Sequence, residues 1–431
     1  MPASNPPKSP TPGFLHSALI SSSASFPFHG GPTLSLQLLT SPASATLELR
    51  NVNSLLYTAD LDIGVAGRSA RVVVDTGSAD FWLKPNLLVE EVHGQKLVSA
   101  SPRRQDVHGQ LLVPEYLIRY GLGEVIAIPI VEERVCAGSL CLEQLELMLA
   151  LKIQGVQEQG AFDGLAGLAF PPLQQAPTNQ TLLQALQLRS GCAHFGFSLS
   201  LRGEGGQSLL SLGEVKDLVK AMEKAEGGSS IPVKVVSRDQ DTEPGYWMVE
   251  VKMSVFNGKN QLLLAKGKGL LDSGSSFLAV PEGLVGYVVM ALTYGHGGLP
   301  SLAVDESQRL LCRCDAGLND LVFELPGEDG RTLRVNLTQD ELLEPPTIIG
   351  DPLLRKVSVV FDVDGARVHV LPVGDKRGAA LVAEGLAAGP PHELALLGLV
   401  CLLSTALAAT CAWRCWWQGP GETGHYQYLA M

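Results

Sequence analysis

Positive charge is scarce in this chain: 32 Lys and Arg stand against 44 Asp and Glu, leaving a net charge of −12. The basic residues are scattered, so no stripe exists to displace counterions from phosphates, and a nucleic-acid partner is excluded. Uninterrupted helix-forming sequence is scarce too. With 46 Gly and 27 Pro among 431 residues, long helices are excluded from most of the chain and an all-β body is favoured. Length alone suggests roughly two or three domains, or one large β-rich unit. Nucleophile-type hydrolytic motifs are missing. No Gly-x-Ser-x-Gly elbow occurs, so His194 and His296 have no serine to serve, and "YGHGGLP" reads as a glycine-rich loop. "HEL" at His392 lacks the second His of a zinc-protease helix, and no ligand cluster accompanies Cys312 and Cys314. Neither a metal nor an organic cofactor is expected.

Long apolar runs are absent with one exception. "LALLGLVCLLSTALAATCAW", Leu394 to Trp413, is 20 residues without a formal charge, about the length that crosses a bilayer core at about 1.5 Å per residue. Arg414, Trp416 and Trp417 follow it as an interfacial belt would. The expectation is one transmembrane helix over 393–413 and a short tail over 414–431. A lipid-anchor signal is disfavoured, because its hydrophobic tail normally finishes the chain. The start lacks the positive n-region of a secretory signal, offering Lys8 and a weak apolar patch, so targeting needs an earlier start or another route. Lys376 and Arg377 before the run and Arg414 after it leave orientation undecided by charge. A single-pass protein with its body facing the lumen or cell exterior is expected, in the secretory pathway, a vacuole or the cell surface. The sequons at Asn179 and Asn336 are compatible with that compartment.

Of eight cysteines, Cys401, Cys411 and Cys415 belong to or flank the apolar run. Five remain, an odd number, so at least one thiol is free or joined to another chain. Cys136 and Cys141 in "CAGSLC" close a short loop suited to a disulfide, whereas a bridge between Cys312 and Cys314 would be strained.

Composition divides the chain into a Ser-, Pro- and Ala-rich leader or pro-region over 1–54, a body of short apolar runs and turns, and a small-residue stalk over 374–392. Two helices interrupt the body. "TLLQALQLRSG" stops at Gly191 and "EGLVGYVVMALTYG" at Gly295, each glycine placed as a C-terminal cap.

An internal repeat carries the chemistry. "VVVDTGSADFWL" returns as "GLLDSGSSFLAV", so that Asp75-Thr76-Gly77-Ser78 is mirrored by Asp272-Ser273-Gly274-Ser275. A second echo, apolar-apolar-Gly, recurs around Gly167 and Gly350 at similar distances after each Asp. Two such loops can bring both carboxyls to a shared axis, close enough that they cannot ionise together and hold one proton between them. The ionised member can then take a proton from water while the neutral one donates to a carbonyl. Gly77 and Gly274 let backbone pass close by, and the hydroxyls of Ser78 and Ser275 can orient the carboxylates.

Seven ordered segments, "DTGSADFW", "IRYGLGEV", "FDGLAGLAF", "YWMVEV", "LLDSGSSFLAVP", "TIIGDPLL" and "VVFDVDGARVHVLP", resemble the pepsin-like aspartic protease family from about Tyr57 to Pro372. The resemblance implies a bilobal all-β fold with a central cleft, lobes of 57–200 and 201–373, and a monomer acting on protein or peptide substrates. It implies Asp75 and Asp272 as the catalytic pair, Tyr120 and Gly121 in a flap hairpin, and Trp82 as the indole bonded to that tyrosine. Departures are visible. Leu122 stands where the flap often has a small polar residue, the disulfide loop soon after the first Asp motif is missing, and Cys314 lacks the family's upstream partner. The leader is poor in the Lys and Arg with which pro-segments commonly cover the cleft. The resemblance implies an acid-acting endopeptidase; a catalytically silent, membrane-anchored peptide- or protein-binding module is the alternative, and a structural wall or adhesion protein a third reading.

Overall fold

Alternation explains the first strand. In Ala45–Val52 the side chains of Ala45, Leu47 and Leu49 are buried while Thr46, Glu48 and Arg50 face solvent, the period of a strand with one face on a core. Composition assigns this segment to the leader. Instead it pairs with Leu56–Ile63 on one side and Ser208–Glu214 on the other, so the folded body begins before residue 57. The computed structural model describes, with short breaks, residues 43–85, 114–155, 162–238, 243–295, 317–338 and 351–373, together with a few isolated short strands.

Among the described residues the largest sheet has thirteen strands. Its centre is the hairpin of Leu56–Ile63 and Arg68–Asp75, and Val72, Val73 and Val74 are all buried because both faces are covered. Gly164–Gly167 runs parallel to Arg68–Asp75, setting Gly167 opposite Asp75, and antiparallel to Phe81–Leu83. The sheet continues through the long hairpin of Gly123–Ala137 and Leu140–Gln154 and ends at Tyr116–Tyr120. Five strands from the second half form a separate sheet in the order Gln261–Leu270, Met248–Phe256, Asp320–Pro326, Arg331–Leu337 and Ala379–Ala383. The last of these lies inside the expected stalk and pairs with Arg331–Val335. The fold is mostly β, bilobal and pepsin-like.

The helix Leu182–Ser190 starts at a complete capping box, in which the Thr181 hydroxyl accepts from the Gln184 N–H and the Gln184 side chain accepts from the Thr181 N–H. It stops at Gly191, whose φ of 65° is left-handed, as the sequence predicts. The second expected helix, Glu282–Thr293, is capped by Tyr294 in extended conformation rather than by Gly295. A third, Val215–Glu226, is missed by the sequence reading. Its buried Val215, Leu218 and Met222 recur at helical spacing and Gly227 closes it at φ 75°.

Trp247 ties the halves of the core together. Its indole N–H donates to the Leu168 carbonyl at 2.9 Å, and its ring packs on Phe170 and edge-on against Phe197 and Phe361. The last two come from the paired strands Phe195–Ser200 and Val357–Asp362, so this cluster braces the segment that ends beside Asp75.

Among the described residues no helix is long and apolar enough to cross a membrane. The expected span over 393–413 lies outside the described residues, as do Leu122, Cys314 and the glycine echo at Gly350.

Candidate active site

Each half of the repeat ends its apolar run in a tight loop, and the two loops lock through their second residues. The Thr76 hydroxyl donates to the Leu271 carbonyl at 2.9 Å and accepts from the Ser273 N–H at 2.9 Å. Reciprocally, the Ser273 hydroxyl donates to the Val74 carbonyl at 2.8 Å and accepts from the Thr76 N–H at 3.2 Å. All four bonds are buried, so each satisfies groups that would otherwise be desolvated without a partner. The sequence reading overlooked this grip, although its signal is plain: the residue after each Asp carries a hydroxyl.

The grip sets the carboxyls against each other. Asp75 Oδ1 accepts from the Gly77 N–H at 2.8 Å and Asp272 Oδ1 from the Gly274 N–H at 2.9 Å. The remaining oxygens are held by Ser78, at 2.5 Å from Asp75 Oδ2, and Ser275, at 2.7 Å from Asp272 Oδ2. Gly77 faces the opposite carboxyl so closely that a Cβ there would lie 2.5 Å from Asp272, and one on Gly274 would overlap Asp75. Close approach, rather than a positive φ, is what these two positions require.

The pair is unequal in exposure. Asp75 is 5% exposed and Asp272 half-buried. Burial first, and the Asp272 charge second, push Asp75 up from 3.8 to about 8, against the opposing pull of the Ser78 and Gly77 hydrogen bonds. Such a pair titrates as one unit, and its proton stays bound well above the ordinary carboxylate range.

Tyr120 ends the edge strand Tyr116–Tyr120, with Gly121 exposed in the turn and Gly123 opposite. The Trp82 indole N–H donates to the Tyr120 hydroxyl at 2.8 Å, the contact that the resemblance implies. Burial and then the negative charge of Asp75 push the Tyr120 phenol well above its ordinary range, so it stays a neutral hydrogen-bonding group. Trp82 itself is fully buried in a cluster with Val73, Ile118 and Phe162.

Two other acids near the site escaped the sequence reading. Asp80 is 2% exposed, and burial raises its pKa against the hydrogen bonds it accepts from the Ala176 and Gln175 N–H groups. Asp351, in "TIIGDPLL", is fully buried with Arg355 Nη2 at 3.6 Å; burial and the Asp272 charge push it well up, against Arg355. Arg355 Nε donates to the buried Tyr57 hydroxyl at 2.9 Å, which donates to the Arg202 carbonyl at 2.7 Å.

The expected modification sites lie elsewhere. Cys136 and Cys141 form the expected disulfide at the end of the long hairpin, with Cα atoms 4.0 Å apart, and Cys192 is a free thiol. Asn179 is exposed just before the capping box of Leu182–Ser190, while Asn336 sits half-buried in a strand with its Oδ1 accepting from Arg334.

A fold of this kind, holding two hydroxyl-braced carboxyls on gripped loops, defines an aspartic protease architecture. The family model for eukaryotic aspartyl protease matches residues 56–373, and the chain belongs to that family. It is similar to Pepsin A-5 of Mus musculus, 25% identical over 361 residues that cover 78% of this chain and 86% of that protein. Pepsin F of Oryctolagus cuniculus is 27% identical over 353 residues, covering 75% of this chain and 83% of the relative. Rhizopuspepsin-1 of Rhizopus niveus is 23% identical over 357 residues, 78% and 84% of the two chains. Among solved structures, the aspartic proteinase from Irpex lacteus superposes with a TM-score of 0.57 at 16% identity, covering 77% of this chain and 98% of that one, a likeness of fold.

Proposed function

We propose that the protein is an aspartic endopeptidase that hydrolyses protein or peptide substrates at acid pH with Asp75 and Asp272 as its catalytic residues. The observation that carries this reading is the carboxyl pair itself, each carboxyl lying so close to the opposing loop that a Cβ on that loop's glycine would overlap it. With one proton between them, the charged member takes a proton from water as its oxygen attacks the scissile carbonyl carbon. The protonated member donates to the carbonyl oxygen, giving a tetrahedral diol. Collapse breaks the carbon–nitrogen bond: the proton taken from water passes to the leaving amine, and one diol hydroxyl returns its proton to the carboxyl that had donated it, leaving a carboxylic acid product and one proton again on the pair. Both carboxyls protonated leave no base and both ionised leave no acid, so activity belongs to the window in which the pair holds one proton. Tyr120, neutral and bonded to Trp82, supplies a hydroxyl beside the pair on a hairpin able to cover an extended peptide.

A peptide library incubated with the protein at acid pH tests this reading, compared with Asp75→Asn and Asp272→Asn. Each substitution should lower cleavage by at least about a hundredfold. Cleavage that survives both would sink the assignment, and a parent that binds peptides without cutting them would favour the silent binding module.

We further propose that Leu394–Trp413 tethers this catalytic body to a membrane of the secretory route, supported by its uncharged length and by Arg414, Trp416 and Trp417. The strand Tyr426–Tyr428 pairs with Leu310–Arg313. A crossing would break that pairing, since it carries the tail to the opposite face. Protease protection in sealed vesicles of that route, whose lumen would hold the body, decides between the two: a tail epitope digested while the body stays shielded supports the tether, and a tail and body shielded together or digested together overturn it.

A further inference from the structure

The flap tyrosine sits at the edge of the thirteen-stranded sheet, where a strand has one side without a backbone partner. In the register of this hairpin Arg119 lies opposite Glu124, and the Arg119 main-chain groups turn outward. They meet one side chain. Gln175 Oε1 accepts from the Arg119 N–H at 2.9 Å and Gln175 Nε2 donates to the Arg119 carbonyl at 2.8 Å. A primary amide carries both a donor and an acceptor, so Gln175 stands in for one residue of a further strand.

The segment bearing Gln175 is fixed from behind. Asp80 accepts from the Ala176 N–H at 2.9 Å and from the Gln175 N–H at 3.1 and 3.2 Å, one distance to each carboxyl oxygen. Ala176 is 1% exposed and packs in the cluster that contains Trp82, with Tyr120 against it. The Asp80 carbonyl accepts from the Gly167 N–H at 3.0 Å, on the strand paired with Asp75. Asp80 precedes Trp82 by two residues, and Trp82 holds the Tyr120 hydroxyl. A closed circuit results: Asp80 to the Gln175–Ala176 backbone, Gln175 side chain to Arg119, Arg119 to Tyr120, and Tyr120 through Trp82 back to Asp80.

We propose that Gln175 is a positioning residue that latches the flap strand through Arg119, with Asp80 as the buried anchor of the latch. Tyr120 is thereby held at both ends, its hydroxyl by Trp82 and its backbone through Arg119. The latch acts on the reaction by limiting where Tyr120 can lie when a substrate enters, a role that rests on the peptidase reading. Because Gln175 is exposed, the latch opens without unfolding the core, as a segment that admits substrate requires.

The test uses full-length protein and two readouts, kcat and KM on a peptide substrate and amide hydrogen exchange at Arg119. Gln175→Ala should lower kcat/KM by roughly threefold to tenfold and speed Arg119 exchange by roughly tenfold, with the global unfolding midpoint unmoved. Gln175→Glu keeps an acceptor for the Arg119 N–H and loses the donor to its carbonyl. It should therefore retain most of the exchange protection and part of the kcat/KM. Asp80→Ala should follow Gln175→Ala, and Asp80→Asn, which preserves an acceptor oxygen, should recover part of the loss. Unchanged Arg119 exchange in Gln175→Ala overturns the latch, and faster exchange with unchanged kcat/KM overturns its role in catalysis. A parent that cleaves no peptide overturns the peptidase reading instead, and exchange at Arg119 then tests the latch by itself.

Discussion

Replacing Asp75 by Asn should flatten the pH dependence of folding stability on the acid side of neutrality. In the folded protein burial and the Asp272 charge hold the Asp75 proton up to about 8, whereas an unfolded chain releases it near the ordinary 3.8. Between those values the folded state binds the additional proton, so stability is full below the unfolded pKa and is lost as pH rises toward the folded one. Each proton so retained contributes a slope of about 1.4 kcal/mol per pH unit, at most about 2 kcal/mol across one and a half units. Asp80 and Asp351 are raised by burial and add slope of the same sign. His369 works the other way, since burial lowers its pKa and stability is lost as pH falls below the unfolded imidazole value. These three groups remain in both proteins, so the difference between the parent and Asp75→Asn slopes reads the proton that the carboxyl pair holds. Urea unfolding at intervals from about pH 4.5 to about pH 6 measures it, with the parent losing stability more steeply by up to one proton's slope. Superimposable slopes, or a variant steeper than the parent, would refute the reasoning that burial of Asp75 holds its proton.

Other consequences follow from the packing around the pair. Thr76→Val would leave the Leu271 carbonyl and the Ser273 N–H buried without their partner, costing about 1–3 kcal/mol for each in chemical denaturation, while Thr76→Ser should recover most of it. Gly274→Ala drives a methyl group into the Asp75 carboxyl, so peptide cleavage should fall by at least about a hundredfold; near-parent turnover would show that the loops are further apart than the structure has them. Thr181→Ala removes the capping-box hydroxyl of Leu182–Ser190 and should cost about 1 kcal/mol in thermal or urea unfolding, leaving cleavage kinetics at the parent level.

Much of the site is legible along the chain because its parts are local in sequence. A carboxyl, a hydroxyl, a glycine and a serine in consecutive order carry their own hydrogen bonds, Gly77 to Asp75 and Ser78 to Asp75, and the second half repeats them. Tyr120 and Trp82 are named by motif before their 2.8 Å contact is seen. Asp80 and Gln175 are not legible in this way. Their partners lie 95 and 56 residues away, and a carboxyl or amide beside a turn reads as ordinary solvated polar sequence. The helix Val215–Glu226 is local in the same sense as the Asp loops: its apolar spacing and the glycine after it are both present in the sequence.

Sequence alone therefore determined an all-β body with two Asp-hydroxyl-Gly-Ser loops, and the resemblance of its ordered segments to a known family implied the class of protein. Only the tertiary structure decided which carboxyl is the more buried, that Thr76 and Ser273 grip each other, that Ala45–Val52 belongs to the sheet, and that a glutamine caps the flap strand. Each of those depends on burial or on contacts between residues distant in the chain. Sequence sets which groups are available, and packing sets which of them lose their water and must find one another.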